Sequence, residues 1–229
     1  MGSPPPELAG RDIEIKQFVK SIDQIQGGGT EKYLLLIGLR GVGKTVLLNE
    51  FETKMLEANW KGSLREISSK GSFMALFIED ARSAILQMSA AAKIKDIGNR
   101  ALGALKSFAS TVTVPVDGIP ITIGIEPLAG VADSRSLKDD FTDVLVEVGK
   151  VAQESGHVYC IVLDEAHHLS KEEFEALVMG FHRISQLNLP VYFVAAGLPL
   201  LPRLIGKSKS YSERGFLRLK IDSLSKTET

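Results

Sequence analysis

The sequence holds one cysteine, Cys160, one tryptophan, and only 7% aromatic residues among its 229 positions. A single thiol excludes an intramolecular disulfide and any zinc site built on several cysteines. It lies inside the apolar run 158–163, where a small buried thiol is the expected reading. An excess of either charge is missing as well. Lys and Arg number 27 against 28 Asp and Glu, a formal net charge of -1. Bulk attraction to nucleic acid or an anionic membrane therefore does not organise the molecule. No basic, aromatic-rich recognition helix is visible, and no apolar run approaches the ~20 residues that cross a bilayer. The opening, Met1-Gly2-Ser3-Pro4-Pro5-Pro6, has neither the basic start nor the apolar middle of a secretory signal. These absences lead to the expectation of a reduced, soluble, cytoplasmic protein without a membrane partner. With 44% apolar residues, a chain of this size buries roughly 70–75% of its unfolded surface and needs no covalent staples.

What is present is a regular alternation of periods. Ile15, Phe18, Val19, Ile22 and Ile25 recur at helical spacing, and Gly27-Gly28-Gly29 ends that helix. Tyr33-Leu34-Leu35-Leu36-Ile37 is apolar on both faces, as in a central strand of a parallel sheet. Leu47, Leu48, Phe51 and Met55 mark the next helix, and 63–67 a second strand. Phe73, Leu76, Phe77, Ala84 and Met88 give another helix, and Ile97, Ala101, Leu105 and Phe108 one more. Ser136 with Asp139, and Ser170 with Glu173, have capping-box spacing and open two further helices. Apolar strands follow at 159–163 and 191–196, and another is expected at 216–221.

Strands alternating with helices predict an α/β fold, a mostly parallel sheet with helices on both faces. One segment departs from that plan. From Thr111 to Ile125 the period becomes two on either side of Asp117-Gly118, which predicts a β-hairpin inside an insertion over about 104–131. Pro115 and Pro120 place its strands at exposed edges. It is either a partner-binding or pore-like element, or an extra layer over the core.

Gly38-Leu39-Arg40-Gly41-Val42-Gly43-Lys44-Thr45 matches G-x-x-x-x-G-K-[ST] in full. The glycines let consecutive backbone N–H groups turn toward phosphate oxygens, and the following helix, with Val46 next, aims its positive end at them. Lys44 is expected to reach the β- and γ-phosphates, and the Thr45 hydroxyl to ligate Mg²⁺. The context is the required one, a buried strand before the motif and an amphipathic helix after it.

A second acidic site is expected for such a loop. Ile161-Val162-Leu163-Asp164-Glu165 delivers two acids at the carboxyl end of a strand, where ligands bind in open α/β sheets. Asp164 is the expected Mg²⁺ holder and Glu165 the base that polarises the attacking water. Asp164-Glu165-Ala166-His167 also spells a helicase signature, but that activity needs two such domains. His167 and His168 are read as solvated or packing residues, and His157 and His182 have no partner at ligand spacing.

Taken together these residues resemble the AAA+ superfamily, and more narrowly the bacterial and archaeal ATPases similar to the origin-recognition and replication-initiator clade. Leu8-Ala9-Gly10-Arg11-Asp12-Ile13-Glu14 looks like the family's "GR-x-x-E" segment near the adenine. The phosphate loop and acidic strand end look like its Walker A and Walker B motifs. Val194-Ala195-Ala196-Gly197-Leu198-Pro199 stands where the strand end called sensor one falls, and Arg214 where the arginine finger falls. The resemblance implies a P-loop NTPase three-layer α/β/α sandwich, bound ATP and Mg, ATP hydrolysis, and homo-oligomers in which Arg214 reaches a neighbour's γ-phosphate. Two features depart from it. The sensor-one position is normally polar, and here it is Ala195-Ala196-Gly197. The family's helical lid would follow the last core strand, so 1–229 is read as the ATPase core without its lid.

Three functional readings remain open on the sequence. One is an ATPase that remodels or drives a partner, and another a nucleotide-gated signalling switch with little turnover. The third is a DNA-associated ATPase of replication or transposition. The third draws on the basic residues Arg203, Lys207, Lys209, Arg214, Arg218 and Lys220, which suit a solvated or subunit-facing edge better.

Overall fold

Neighbouring residues of one strand face opposite ways, and two of them define the layers. Tyr192 packs toward Phe18, ring centroids 6.3 Å apart, while Phe193 packs toward Phe181 at 4.7 Å. Both faces of the sheet are therefore covered by helices, which is why the strands read as continuous apolar runs. The computed structural model describes residues 10–112, 126–201 and 215–223. In chain order the elements are α1 (Asp12–Gln26), β1 (Tyr33–Ile37), α2 (Lys44–Glu57), β2 (Leu64–Glu66), α3 (Phe73–Ala92), α4 (Lys95–Thr111), α5 (Leu137–Ser155) and β3 (Tyr159–Asp164). A 3₁₀ turn (Ala166–His168), α6 (Lys171–Leu187), β4 (Val191–Gly197) and β5 (Phe216–Lys220) complete them.

The sheet has five strands in the order β2-β3-β4-β1-β5, and every pairing is parallel. The expected α/β/α sandwich is the observed one. β4 lies between β1 and β3, with Leu36 opposite Ala196 and Leu163 opposite Ala195. That order sends the carboxyl ends of β1 and β3 to the same edge of the sheet with β4 between them. Ligands in such sheets bind at this edge.

The local signals explain the helix ends. Ser170 and Glu173 cap α6 reciprocally, and the second Glu173 oxygen accepts from Phe73 N at 2.9 Å, so one side chain caps α6 and holds the start of α3. At α5 Ser136 accepts from Asp139 N at 3.5 Å. The buried Asp140 takes more of the entry loop, accepting from Ser134 N at 2.9 Å and Arg135 N at 3.0 Å.

The segment expected as an insertion over about 104–131 opens as helix, in line with the helical spacing of Leu105 and Phe108. Residues 104–111 are the second half of α4, and Ala104, Leu105 and Phe108 are buried in the core. Helical burial continues there because Phe108 meets Phe77 and Phe141. After the insertion Leu128 N donates to Gly103 O at 3.2 Å, so the flanks form an added layer on α3 and α5. The hairpin at 113–125 lies outside the described residues. Cys160 is fully buried, and burial pushes its thiol pKa well up.

Among the polar groups buried in this frame is Asp80. The Tyr159 hydroxyl, at the start of β3, donates to Asp80 Oδ2 at 2.9 Å, and Ser63 Oγ donates to Asp80 Oδ1. Burial raises the Asp80 pKa above the usual carboxylate value, with the hydrogen bonds from Ser63 and Tyr159 opposing it. Because the folded pKa lies above the unfolded one, this contribution to stability is present below the unfolded pKa. It is lost as pH rises through the folded value. Asp80→Ala should destabilise by roughly 1–3 kcal/mol, the range for a buried hydroxyl left unpaired. Asp80→Asn keeps the hydrogen-bonding shape and should flatten the acid side of the stability profile. Urea unfolding between pH 4 and 8 measures both effects.

Candidate functional site

The site begins where β1 ends. Ile221 N donates to Ile37 O at 2.8 Å, which draws the chain after β5 against the start of the loop. A Cβ at Gly38 would lie 2.2 Å from Ile221 O, so only glycine fits there. Gly41 and Gly43 have φ of 77° and 87°, and Gly43 is the left-handed cap from which α2 springs. The N–H groups of Lys44, Thr45 and Val46 stand in the first turn of α2, where donors have no intrahelical partner. Leu39 and Arg40 are exposed at the tip of the loop.

Lys44 is 6% exposed, and its Nζ donates to Gly38 O at 3.1 Å and Leu39 O at 2.7 Å. Among the described residues it makes no ion pair. A buried ammonium held by carbonyls alone fits an anionic ligand, because burial without a counter-charge is costly. Thr45 Oγ1 donates to Asp164 Oδ2 at 2.5 Å, and Asp164 Oδ1 accepts from Glu165 N at 2.7 Å. Two oxygen donors at a buried carboxylate suit a hard divalent cation such as Mg²⁺. Glu66, at the end of β2, stands opposite Asp164 in the register and adds a further acid to this edge.

Arg11 ties the loop in place. Its Nη2 donates to Val42 O at 2.8 Å and to Asp222 O at 2.6 Å, and Nη1 lies 3.6 Å from Glu14 Oε1. Gly10, with φ of 84°, turns the chain into this clasp. Arg11 thus touches the phosphate loop through Val42, and its guanidinium is committed to backbone carbonyls and Glu14.

Glu165 has a left-handed backbone, φ 52°, which starts the 3₁₀ turn. The turn folds His167 back, so that Nδ1 lies 3.1 Å from Glu165 Oε2. That separation is within ion-pair reach, yet neither atom makes a well-aligned hydrogen bond and both are buried. Burial lowers the His167 pKa, the Glu165 carboxylate opposes this, and His168, Arg40 and Lys44 add to the lowering. His168 stacks on His167 with ring centroids 4.2 Å apart. Glu165, His167 and His168 place ligand atoms within 4.8 Å of one another.

The structure therefore brings together Gly38, Gly41, Gly43, Lys44, Thr45, Asp164 and Glu165, with Arg11 joined through Val42. Arg214, Leu8 and Ala9 lie outside the described residues. The β4 end carries buried Ala195, Ala196 and Gly197, as the sequence reads, with no polar side chain. His167 was expected to be solvated or to pack, and the structure buries its side chain against Glu165. The only sequence cue for this is its place two residues after Glu165, and the cue works only once Glu165 adopts positive φ.

A glycine-bounded phosphate loop, a buried lysine and a threonine bonded to a strand-end aspartate, on a five-stranded parallel sandwich, define a P-loop NTPase. The chain belongs to the AAA ATPase domain family, which matches residues 7–194. No curated protein sequence matches it. Among solved structures it is similar to Cdc6p from Pyrobaculum aerophilum, with 14% identity over 95% of this chain and 47% of that one, at a TM-score of 0.51. It also matches the Aeropyrum pernix Orc1 protein in complex with DNA, at 16% identity, 96% and 47% coverage and TM-score 0.48. AMPPCP-bound DnaA from Aquifex aeolicus follows at 11% identity, 93% and 46% coverage and TM-score 0.44. The likeness to Cdc6p shows a shared fold, and the chain spans less than half the length of each of these structures. Among the described residues no helix is long and apolar enough to cross a membrane.

The Arg11 clasp makes a prediction of its own. Arg11→Ala frees the Val42 and Asp222 carbonyls and should loosen the loop. A drop of about tenfold in ATP affinity is expected, from roughly 1–2 kcal/mol for hydrogen bonds to a charged group. Calorimetric titration with ATP checks it, and an unchanged affinity would show that the loop holds its shape without Arg11.

Proposed function

We propose that the chain binds ATP with Mg²⁺ and hydrolyses it to drive or gate a partner. The hydrogen bond from Thr45 to Asp164 carries the reading, because it joins the phosphate-loop helix to the acidic strand end across β4. Lys44, buried without a carboxylate partner, contacts the β- and γ-phosphates, and the first-turn N–H groups of α2 supply further donors. Thr45 and Asp164 hold the metal. Bound Mg·ATP supplies an electrophilic phosphorus whose charge is partly neutralised. Glu165 accepts the proton of the attacking water. Gly38, Leu39, Arg40, Gly41, Val42, Gly43 and Val46 line the phosphates, and Gly10 and Arg11 border the adenine side. Adenine is preferred in this reading because no guanine-reading N-K-x-D occurs.

The family resemblance adds homo-oligomer formation, with Arg214 acting on a neighbour's nucleotide, and association with DNA as a possible cargo of the work done. A second reading is favoured by Ala195 and Ala196. Without a polar β4 end, nucleotide state gates a partner while turnover stays low.

Lys44→Ala should abolish most ATP affinity in calorimetry while leaving the thermal unfolding midpoint in place. Glu165→Gln should retain ATP and lose roughly 10²-fold or more in phosphate release, the range for removing a general base. Unchanged binding in the first variant, or parent-like release in the second, would remove the corresponding assignment. For the assembly, phosphate release per chain should rise with protein concentration, and Arg214→Ala should flatten that rise without loss of ATP binding. A rate independent of concentration in both proteins favours the switch.

A further inference from the structure

Three observations meet at one side chain outside the assigned set. His167 is folded onto Glu165, with Nδ1 3.1 Å from Oε2, because Glu165 occupies the left-handed region just before the 3₁₀ turn. The His167 backbone also sits on the end of β4, where a Cβ added to Gly197 would come within 3.3 Å of His167 N. That strand end offers only Ala195, Ala196 and Gly197, so no β4 side chain there can orient water or base. Finally, Glu165 Oε2 and His167 Nδ1 are both buried and lack an aligned hydrogen bond, so each has only the other to turn to.

We propose that His167 is the positioning residue of the hydrolytic site, holding Glu165 Oε2 through Nδ1 so that Oε1 is presented to the attacking water. The inference rests on the reading of Glu165 as base. The imidazole takes over, from the neighbouring turn, the orienting task that the small β4 residues cannot perform. His168 lies against it, ring centroids 4.2 Å apart and tilted by 37°. Burial of His167 disfavours its charged form. A neutral ring with its proton on Nδ1 donates to the carboxylate and takes no proton from it. A catalytic base oriented by a third group is a general arrangement in enzymes. Outer groups of this kind are worth 10–100-fold in activity when removed from metal sites, and a similar scale applies here.

The test separates the nitrogen from the ring. His167→Asn keeps a nitrogen donor near the Nδ1 position and loses the ring, whereas His167→Phe keeps the ring and loses the donor. Phosphate release by the full chain with Mg·ATP is measured for both, together with calorimetric ATP affinity and Glu165→Gln as reference. Positioning through Nδ1 predicts that His167→Phe loses tenfold or more in kcat with KM and ATP affinity within about twofold of the parent. His167→Asn should stay within a few-fold of the parent in kcat. The reverse order, with Phe tolerated and Asn damaging, assigns His167 to packing and overturns the inference. If Glu165→Gln is impaired while His167→Phe turns over like the parent, the positioning role falls and the base stands. If Glu165→Gln itself turns over like the parent, or the parent releases no phosphate, base and positioning fall together.

Discussion

The whole site depends on a contact made across a strand. β1 and β3 carry the phosphate loop and the acidic pair, and in the sheet order β4 separates them. Thr45 must therefore reach over the end of β4 to bond Asp164, and it does so at 2.5 Å. The intervening strand end carries small residues, Ala195, Ala196 and Gly197. Gly197 is confined by Leu201 Cδ2 at 3.0 Å and His167 N at 3.3 Å from where a Cβ would stand. At Gly197, the last residue of this apolar strand end, the confinement is a packing constraint. Small residues admit the 3₁₀ turn, and the turn brings a histidine to the base.

The same strand is held at its other end. Tyr159 opens β3 with its hydroxyl on the buried Asp80, and Asp164 closes it on Thr45. Register in a parallel sheet slips in steps that turn every side chain to the other face. Two polar anchors at opposite ends of six residues, with apolar packing between, leave β3 one alignment. The turn after it is secured in its own way. Glu173 caps α6 through Ser170 and accepts from Phe73 N, so the segment from Glu165 to the start of α6 is braced against α3.

Much of the fold was legible because its signals are local. Continuous apolar runs located β1, β3 and β4, the capping spacing located α6, and the glycines located the loop to the residue. Lys44, Thr45, Asp164 and Glu165 were legible for the same reason, since the chemistry demands those types at those spacings. Two features of the site were not: the bonds that Arg11, named from its family segment, makes, and the place of His167. Arg11 acts by joining Val42 to Asp222, a partner 211 positions away, and nothing in its neighbourhood announces that bond. His167 depends on a positive φ at Glu165, a conformation that non-glycine residues avoid and that no propensity would assign to a glutamate. Residues 104–111 continue the helix that Ile97, Ala101, Leu105 and Phe108 mark in the sequence. The expectations for the hairpin and for Arg214 fall on segments outside the described residues.

What the local rules miss is concentrated at one edge of the sheet. Glu165 holds a left-handed backbone worth of order 1–3 kcal/mol. Lys44 is a buried cation with carbonyls for company, and Glu165 Oε2 faces His167 Nδ1 without an aligned hydrogen bond. Elsewhere the core is conventional, with stacked Phe18 and Phe51 at 4.3 Å and the Phe73, Phe77, Phe108 and Phe141 group filling the opposite layer. Sequences agree with their folds at most levels and break local rules where function requires it. In the proposed reading, two features of this edge answer to a ligand. An anion would neutralise Lys44, and a cation would replace the Thr45 proton at Asp164. The fold holds Lys44, Thr45 and Asp164 in place through the hydrogen bonds they make to each other and to the loop.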